Sequence, residues 1–435
     1  MKIYLFLISL IVLISCTKET DIKVEDSETS KNPNILLIIA DDMGLDACPR
    51  YDIGTIKPHM PNLEKLMSNG IRFNNLWSAP VCTPTRATII TGKYGFNTSV
   101  MKVDDVLAES ETSLQKYIDT NTGGKYSNAV IGKWHLSRDE EHPLNLGIDY
   151  YAGSLNGGLP SYFEYQLIEN RQSKTCLEYA TSKYTDLAID WIANQTDPWF
   201  LWLAYNAPHS PFHLPPDNLH FQGSLPTDQA SIDADPLPYY MAMIEAMDTE
   251  IGRLLGSLSQ EEIDNTIIIF IGDNGTPGKV AQEHHSRRAK GSIYQGGINV
   301  PMIISGKGVS RINETEDALI NTTDLFATIA EIADNKTTKI HDSYSFKGLL
   351  SDNNAPKREY AYSEIGYETE PSTYAIRNAT HKYILFNDGS EALYNLQSTF
   401  IDKINLLSEN QLPLSPNNEA INDDLMVKAK EIRNE

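Results

Sequence analysis

The chain is poor in cysteine and in positive charge. Only 4 of its 435 residues are cysteine, too few for a framework of disulfides to define the fold. Aspartate and glutamate outnumber lysine and arginine by 58 to 36, which gives a formal net charge of −22. Because nucleic-acid binding rests on basic patches, this balance argues against a nucleic-acid partner. It also means that an anionic substrate needs a local cluster of cations to overcome the overall repulsion.

Long apolar segments are lacking as well. The run at residues 3–14, after Lys2, is too short for a stable bilayer span, but it suits the hydrophobic part of a signal peptide. It ends in Leu13-Ile14-Ser15-Cys16, which resembles a bacterial lipobox. The resemblance implies that residues 1–16 are a lipoprotein signal peptide and that Cys16 is lipidated. The protein would then be exported and membrane-anchored, on the periplasmic side or at the cell surface; an ordinary signal peptide with an incidental Cys16 is the alternative.

Residues 17–32 are polar and charged and predict a flexible tether. The continuous apolar run Asn34–Ala40 is typical of a strand buried on both faces. Alternating strands and helices over residues 33–350 predict an α/β domain with a mostly parallel central sheet flanked by helices. Further strands are predicted at residues 128–131, 199–205, 266–271 and 301–304, and helices at residues 61–69, 84–91, 184–193, 239–258 and 324–333.

The pattern changes towards the C-terminus. Short alternating runs replace the longer elements, and the turn sequence Asn-Asp-Gly separates two of them. Residues 351–435 therefore predict a small domain of antiparallel sheet plus helix. Its strands are predicted at residues 359–363, 374–378, 382–386 and 392–396, and its helix at residues 423–432.

Polar residues follow several of the predicted buried strands. In a parallel sheet, ligands gather beyond the carboxyl ends of the strands. Asp41 and Asp42 follow one strand, and Asp273 and Asn274 follow another. An all-oxygen set of this kind suits Ca²⁺ or Mg²⁺ rather than zinc. Taken separately, the first pair has the alternative of a cap or turn, and the second that of a hairpin turn.

Cys82 begins the run Cys82-Thr83-Pro84-Thr85-Arg86, and its C-x-P-x-R pattern resembles the signature of the sulfatase family. In that family a formylglycine-generating enzyme oxidises the cysteine to formylglycine, an aldehyde that serves as the nucleophile. The helix predicted at residues 84–91 places Cys82 by a helix N-terminus, where backbone N–H groups favour negative charge. A buried cysteine before a proline-started helix is the alternative.

The resemblance to sulfatases covers residues 34 to about 394 and implies the alkaline-phosphatase-like form of the α/β fold. Framework-like stretches at residues 145–151 and 296–301 add to it, whereas Gln295 and Asn299 stand where the family often has glutamate and arginine. Six motifs occur in the order that sulfatases have them: Asp41-Asp42-Met43-Gly44, Cys82 to Arg86, Gly132 to Leu136, Pro208-His209, Gly272 to Gly275 and Lys290-Gly291.

Carried over position by position, the resemblance implies a role for each residue of these motifs. Calcium is the expected ion, with magnesium as the alternative, and the formylglycine at Cys82 completes its shell. The calcium ligands are Asp41, Asp42, Asp273 and Asn274; Lys133 and Lys290 hold the sulfate oxygens; Arg86 braces the formylglycine; and His135 and His209 move protons.

The chemistry explains why several groups are needed. Hydrolysis of a sulfate ester requires a barrier reduction of about 20 kcal/mol, whereas one positioned donor supplies only about 3–4 kcal/mol. One hydroxyl of hydrated formylglycine attacks sulfur, and His135 deprotonates the other, which expels sulfate. His209 is predicted to protonate the leaving alcohol and to contact the substrate, with help from Lys290.

Two other functions stay open at this point. A phosphate or phosphonate ester hydrolase of the same superfamily would share these motifs, and a surface lipoprotein could bind sulfated glycan without catalysis. The predicted localisation as a lipoprotein, together with the resemblance to anchored bacterial sulfatases, favours a sulfated poly- or oligosaccharide as substrate. His213 and the loop at residues 280–288 are candidate subsite contributors. Cys48 and Cys176 are left as one possible disulfide pair, which the sequence does not decide.

Overall fold

The structure is a computed structural model that describes residues 32–334, 336–367, 369–397 and 399–435. The predicted signal peptide, Cys16 and all but the last residue of the predicted tether lie outside the described residues. In the part that is described, no helix combines the length and the apolar character needed to cross a membrane.

A sheet of eleven strands forms the centre of the protein. Its first strand is the apolar run predicted from the sequence, and every residue of that strand is buried. The strands in chain order are β1 (Asn34–Ala40), β2 (Gly70–Trp77), β3 (Ser127–Lys133), β4 (Tyr150–Ser154), β5 (Tyr165–Glu169), β6 (Gln172–Cys176), β7 (Trp199–Tyr205), β8 (Thr266–Gly272), β9 (Asn299–Gly306), β10 (Glu314–Glu316) and β11 (Ile320–Asn321).

The spatial order of the strands is β10-β2-β9-β8-β1-β7-β3-β4-β5-β6, and β11 pairs with β2. The central strands β8, β1, β7, β3 and β4 run parallel to one another. In contrast, β9 is antiparallel to both β8 and β2, and β5 and β6 form an antiparallel pair. The predicted fold class, a mostly parallel sheet flanked by helices, is confirmed.

Helices cover both faces of this sheet because successive residues of a strand point to opposite sides. In β1, Leu36 and Ile38 belong to one hydrophobic core, and Ile35 and Leu37 belong to the other. The helices in chain order are α1 (Pro61–Ser68), α2 (Cys82–Thr91), α3 (Gly95–Thr98), α4 (Leu114–Thr122), α5 (His142–Asn145), α6 (Ala180–Ile192), α7 (Gln229–Ala234), α8 (Leu237–Ser257), α9 (Gln260–Asp264), α10 (Gln295–Ile298), α11 (Asp324–Ile332) and α12 (Pro416–Arg433).

The C-terminal part forms a separate antiparallel sheet, as predicted. Its strands are β14 (Ala361–Ile365), β15 (Thr373–Arg377), β16 (His381–Leu385) and β17 (Glu391–Asn395), after a short hairpin of β12 (Lys339–Ile340) and β13 (Ser343–Tyr344). Helix α12 contacts β15 and β16. This sheet contacts the rest of the molecule through buried polar bonds: the Ser363 hydroxyl donates to the carbonyl of Ser78 at 2.7 Å, and Nζ of Lys382 donates to the carbonyl of Ile293 at 2.8 Å.

Candidate active site

The site lies where the two central parallel strands β1 and β8 end. Their register places Ala40 opposite Gly272, so Asp41 and Asp273 emerge side by side. The amide of Asp273 donates to the carbonyl of Ala40 at 3.1 Å, and the amide of Asp42 donates to Oδ1 of Asp273 at 3.0 Å. Pairing of the strands therefore brings together acids that are far apart in the chain.

Each of the three buried acids meets a cation. Nζ of Lys133 lies 2.5 Å from Oδ2 of Asp41, and both side chains are fully buried. Nη2 of Arg86 lies 2.9 Å from Oδ2 of Asp273, again with full burial. Nζ of Lys290 lies 2.5 Å from Oδ1 of Asp42. Since buried charges need partners, the local positive cluster that the acidic chain requires is held in place by these pairs.

The acids respond differently to these surroundings. Burial favours the neutral form of Asp42, but Lys290, His209 and Lys133 outweigh it and lower its pKa to about 2. Burial and the charge of Asp41 raise the pKa of Asp273 to about 6, although Arg86 opposes this. Burial alone would lower the pKa of Lys290, but the charge of Asp42 raises it above its usual value. The carboxylates of Asp41, Asp42 and Asp273 therefore repel one another, and a further cation would reduce this repulsion.

Two buried oxygens at this point have no hydrogen-bond partner among the described residues: Oδ1 of Asp41 and Oδ1 of Asn274. Nδ2 of Asn274 donates to Oδ1 of Asp42 at 2.8 Å, which orients the amide with its oxygen free. One ligand atom each of Asp41, Asp42 and Asp273 lies within 4.8 Å of the others. Unpartnered buried oxygens are costly without a partner, so the residues fit a hard divalent cation with oxygen ligands.

Cys82 is the first residue of α2, and its side chain is 2% exposed. Its Sγ lies 3.2 Å from Nδ1 of His135. Burial raises the pKa of the thiol, although Lys133 opposes this, so at neutral pH the unmodified residue is a thiol rather than a nucleophilic thiolate. The position at a helix N-terminus agrees with the prediction.

Arg86 follows Cys82 by one turn of the same helix and links the two halves of the site. Its Nη1 donates to the carbonyl of Lys133 at 2.9 Å, and its Nη2 donates to Asp273. The side chain is fully buried, and its ion pair with Asp273 raises its pKa against the effect of burial. Arg86 therefore fixes the start of α2 relative to the ends of β3 and β8.

His135 lies between Cys82 and a residue that the sequence reasoning missed. Its Nε2 lies 3.0 Å from Oδ1 of Asp104 and 3.2 Å from Oγ1 of Thr83. Burial and the charge of Lys133 lower the pKa of His135 to about 3, and the hydrogen bond from His135 lowers the pKa of Asp104. An ionised carboxylate only accepts hydrogen bonds, so Nε2 carries the proton and Nδ1 presents a lone pair to residue 82.

His209 is the second histidine near the acids. Its Nε2 lies 3.8 Å from Oδ2 of Asp42, and its Nδ1 donates to the carbonyl of Ser210 at 2.7 Å. Burial lowers the pKa of His209 to about 4. The adjacent glycines Gly157 and Gly158 make room for both histidines. An added Cβ would lie 2.4 Å from the ring of His135 at Gly157, and 3.2 Å from the ring of His209 at Gly158.

The structure brings together the ten residues that were predicted for catalysis, sulfate binding or metal binding. These residues are Asp41, Asp42, Cys82, Arg86, Lys133, His135, His209, Asp273, Asn274 and Lys290. The residues missed were Asp104, which lies in a loop without periodicity, and the glycine pair at 157–158, which reads as an ordinary turn.

The two departures from the family pattern lie outside this cluster. Oε1 of Gln295 accepts a hydrogen bond from the indole of Trp77 at 2.9 Å, and Nδ2 of Asn299 donates to the carbonyl of Asn74 at 3.1 Å. Both are therefore packing residues. Cys48 and Cys176, whose pairing the sequence left open, are both buried free thiols in the described part of the chain.

Comparison with known proteins points in one direction. The family model described as Sulfatase matches residues 33–335. The chain is 29% identical to the uncharacterized sulfatase YdeN of Escherichia coli (strain K12), over 72% of this chain and 65% of that protein. It is 27% identical to the N-acetylgalactosamine-6-sulfatase of Homo sapiens, over 69% of this chain and 62% of that protein. The chain thus spans a little under two thirds of the length of these relatives.

Among solved structures, the fold is similar to that of Ps i-CgsB in complex with k-i-k-neocarrahexaose. The TM-score is 0.77 with 22% identity, and the match covers 92% of each chain. This similarity establishes the fold, whereas the match to the family model establishes the family. The family predicted from the motifs is confirmed: the chain belongs to the sulfatase family of the alkaline-phosphatase superfamily.

Proposed function

We propose that this protein is a sulfuric ester hydrolase that releases inorganic sulfate from a sulfated carbohydrate. One observation carries the proposal: Cys82 lies at the N-terminus of a helix, 3.2 Å from His135, beside acids that are paired with Arg86, Lys133 and Lys290. A buried cysteine alone has no need of these neighbours. A sulfate group needs them, because it brings charged oxygens into an otherwise acidic protein.

The proposed cation is Ca²⁺, held by Asp41, Asp42, Asp273 and Asn274 together with residue 82. A set made almost wholly of protein oxygens suits Ca²⁺, since Mg²⁺ usually keeps several waters. Bound there, the ion would act as a Lewis acid towards a sulfate oxygen. The unpartnered oxygens of Asp41 and Asn274 support this assignment.

Oxidation of Cys82 to formylglycine by a formylglycine-generating enzyme is part of the proposal, and it would supply the attacking oxygen. Nδ1 of His135, the nitrogen facing residue 82, accepts a proton there. Lys133 and Lys290 hold sulfate oxygens, and Arg86 keeps α2 in place. His209 gives a proton to the leaving oxygen. The negative charge of a bound sulfate ester would raise the pKa of His209 and so favour its protonated form.

A carbohydrate substrate is supported by the names of similar proteins, of which one is an N-acetylgalactosamine-6-sulfatase and another was crystallised in complex with k-i-k-neocarrahexaose. The predicted lipobox supports export and anchoring through Cys16, on the periplasmic side or at the cell surface.

The division into a catalytic domain at residues 33–350 and a smaller domain at residues 351–435 is likewise proposed.

The test is sulfate release from a panel of defined sulfated sugars, with protein co-produced with a formylglycine-generating enzyme. Cys82→Ala is the matched control and should release none. The same preparation should turn over an aryl sulfate faster than the corresponding aryl phosphate. Faster turnover of the phosphate would instead make the protein a phosphate or phosphonate ester hydrolase. A Cys82 that stays a thiol in intact-mass analysis of protein from its own host would favour the non-catalytic glycan binder.

A further inference from the structure

Four aromatic rings form a cluster beside His209, here named the aromatic wall and defined as Tyr162, Phe163, Tyr179 and His213. The rings of Tyr162 and His213 lie 4.4 Å apart, and Phe163 lies 5.2 Å from Tyr179 and 5.5 Å from His213. Three members are largely covered, but Phe163 is 42% exposed. The cluster thus holds one rigid ring partly in solvent.

The aromatic wall is tied directly to the active site. The hydroxyl of Tyr162 donates to the carbonyl of His209 at 2.6 Å. The same segment of chain carries Gly157 and Gly158, which lie against the rings of His135 and His209. Phe163 therefore follows a segment that contacts both catalytic histidines, and its neighbour Tyr162 is bonded to the backbone of His209, the residue proposed to protonate the leaving alcohol.

The wall is uncharged at neutral pH. Burial lowers the pKa of His213 to about 4, and its neutral ring donates from Nδ1 to the carbonyl of Pro211 at 2.9 Å and accepts at Nε2 from the hydroxyl of Tyr179 at 3.1 Å. A single exposed apolar side chain is ordinary on protein surfaces. What distinguishes Phe163 is that its ring packs against Tyr179 and His213, in a cluster that is hydrogen-bonded to the backbone of a catalytic histidine. Aromatic rings together with a few polar groups are the usual composition of a ligand site.

We propose that Phe163, supported by the aromatic wall, is a carbohydrate subsite that stacks on the sugar ring on the leaving-group side of the sulfate ester. The apolar C–H face of a pyranose fits an aromatic ring, and its hydroxyls stay in water. Such a contact adds affinity without adding charge to a protein that repels anions. This inference rests on the proposed function and specifies its substrate side.

The experiment compares Phe163→Ala and Phe163→Tyr with the wild type, all co-produced with a formylglycine-generating enzyme. On the best sulfated saccharide of the panel, Phe163→Ala should raise KM about 5- to 10-fold, the loss expected for one aromatic contact. KM for methyl sulfate, which has no ring to stack, should stay unchanged. Phe163→Tyr keeps the ring and should keep the KM of the wild type.

Phe221→Ala is the matched control, because the Phe221 side chain is also exposed and its ring packs against His59, while its backbone amide donates to Glu245. It should leave both KM values unchanged. If Phe163→Ala keeps the wild-type KM on a saccharide that the enzyme does hydrolyse, the subsite is refuted and the sulfatase function stands. If the wild type hydrolyses methyl sulfate but no saccharide, the carbohydrate assignment and the subsite fall together.

Discussion

Oδ1 of Asp104 lies 3.0 Å from Nε2 of His135, on the side of the ring away from the nitrogen that faces Cys82. Nη2 of Arg138 donates to the other oxygen of Asp104 at 2.9 Å, which holds the carboxylate in this orientation. The pair sets the tautomer of His135, since the acid can only accept. Asp104 thus acts on the chemistry through His135, as a positioning residue.

We expect Asp104→Ala to lower kcat about 10- to 100-fold with little change in KM. The reason is that general-base catalysis, worth about 10²- to 10⁴-fold, is weakened when the ring loses its fixed tautomer. The measurement is steady-state sulfate release, together with ¹⁵N NMR of the His135 ring in the protein with unmodified Cys82. Asp139→Asn, an acid in the loop that carries His135 and Arg138, is the control. A His135 ring that keeps its proton on Nε2 in Asp104→Ala would contradict this account.

Calcium should bind to the wild type and stabilise it. Binding to the native state alone adds about 2.7 kcal/mol at a free concentration one hundred times Kd. In Asn274→Ala, which changes no charge but removes one unpartnered oxygen, calcium affinity should fall about tenfold or more. Calorimetric titration of metal-free protein with Ca²⁺ and with Mg²⁺ measures the affinities. Chemical denaturation with and without Ca²⁺ measures the gain in the free energy of unfolding. Equal affinities for Ca²⁺ in the two proteins would exclude Asn274 as a ligand.

Arg86→Met should be strongly destabilising in the absence of calcium. It leaves Asp273 buried without the cation that now lies 2.9 Å away, and breaking a buried pair costs about 3–5 kcal/mol. Calcium should restore part of the free energy of unfolding, because it supplies positive charge to the same acids. Chemical denaturation with and without calcium measures this.

The exposed pair of Arg253 and Asp186 serves as the comparison for Arg86→Met. These side chains are 2.7 Å apart and 42% exposed on both sides. Asp186→Asn should cost under about 1 kcal/mol, and calcium should not change that cost. A similar small loss in Arg86→Met would mean that the buried pair contributes no more than a surface one.

Stability should depend on pH through His213. Its pKa is about 4 in the folded protein and 6.5 when unperturbed, so between these values the unfolded chain binds a proton that the native state excludes. The contribution is fully present above pH 6.5 and is lost as pH falls to about 4, by at most about 3 kcal/mol. The difference in free energy of unfolding between the wild type and His213→Gln, followed over pH 4–7, isolates it. No change in that difference over this range would contradict burial as the cause.

Much of the fold could be predicted because its central strands are continuous apolar runs. Strand β7 has the predicted bounds, and β8 differs by one residue. Strand β2 was missed because Arg72, Asn74 and Asn75 interrupt its apolar residues, and its pairing with β9 shifts register between Phe73 and Leu76. The antiparallel direction of β9 was also beyond the sequence, since β9 follows the short helix α10 rather than a full crossover.

The site residues could be predicted more completely than the fold, because most of them belong to motifs at strand ends. Asp41 and Asp273 were each expected at a strand terminus, and parallel pairing of β1 with β8 was enough to bring them together. Asp104 could not be found in this way. It acts through a single contact from an irregular loop, where no repeating pattern of apolar residues indicates which way a side chain points.

The pairing of β1 with β8 also sets an order of events during biosynthesis. The proposed cation ligands Asp42 and Asn274 are 232 residues apart, and Asp273 directly follows β8, the eighth strand of the sheet. A ribosome must therefore extrude well over half of the polypeptide before any four-oxygen cage can close. Until then Asp41 and Asp42 are solvated acids on an emerging chain, and the proposed ion could bind only after β8 has paired with β1.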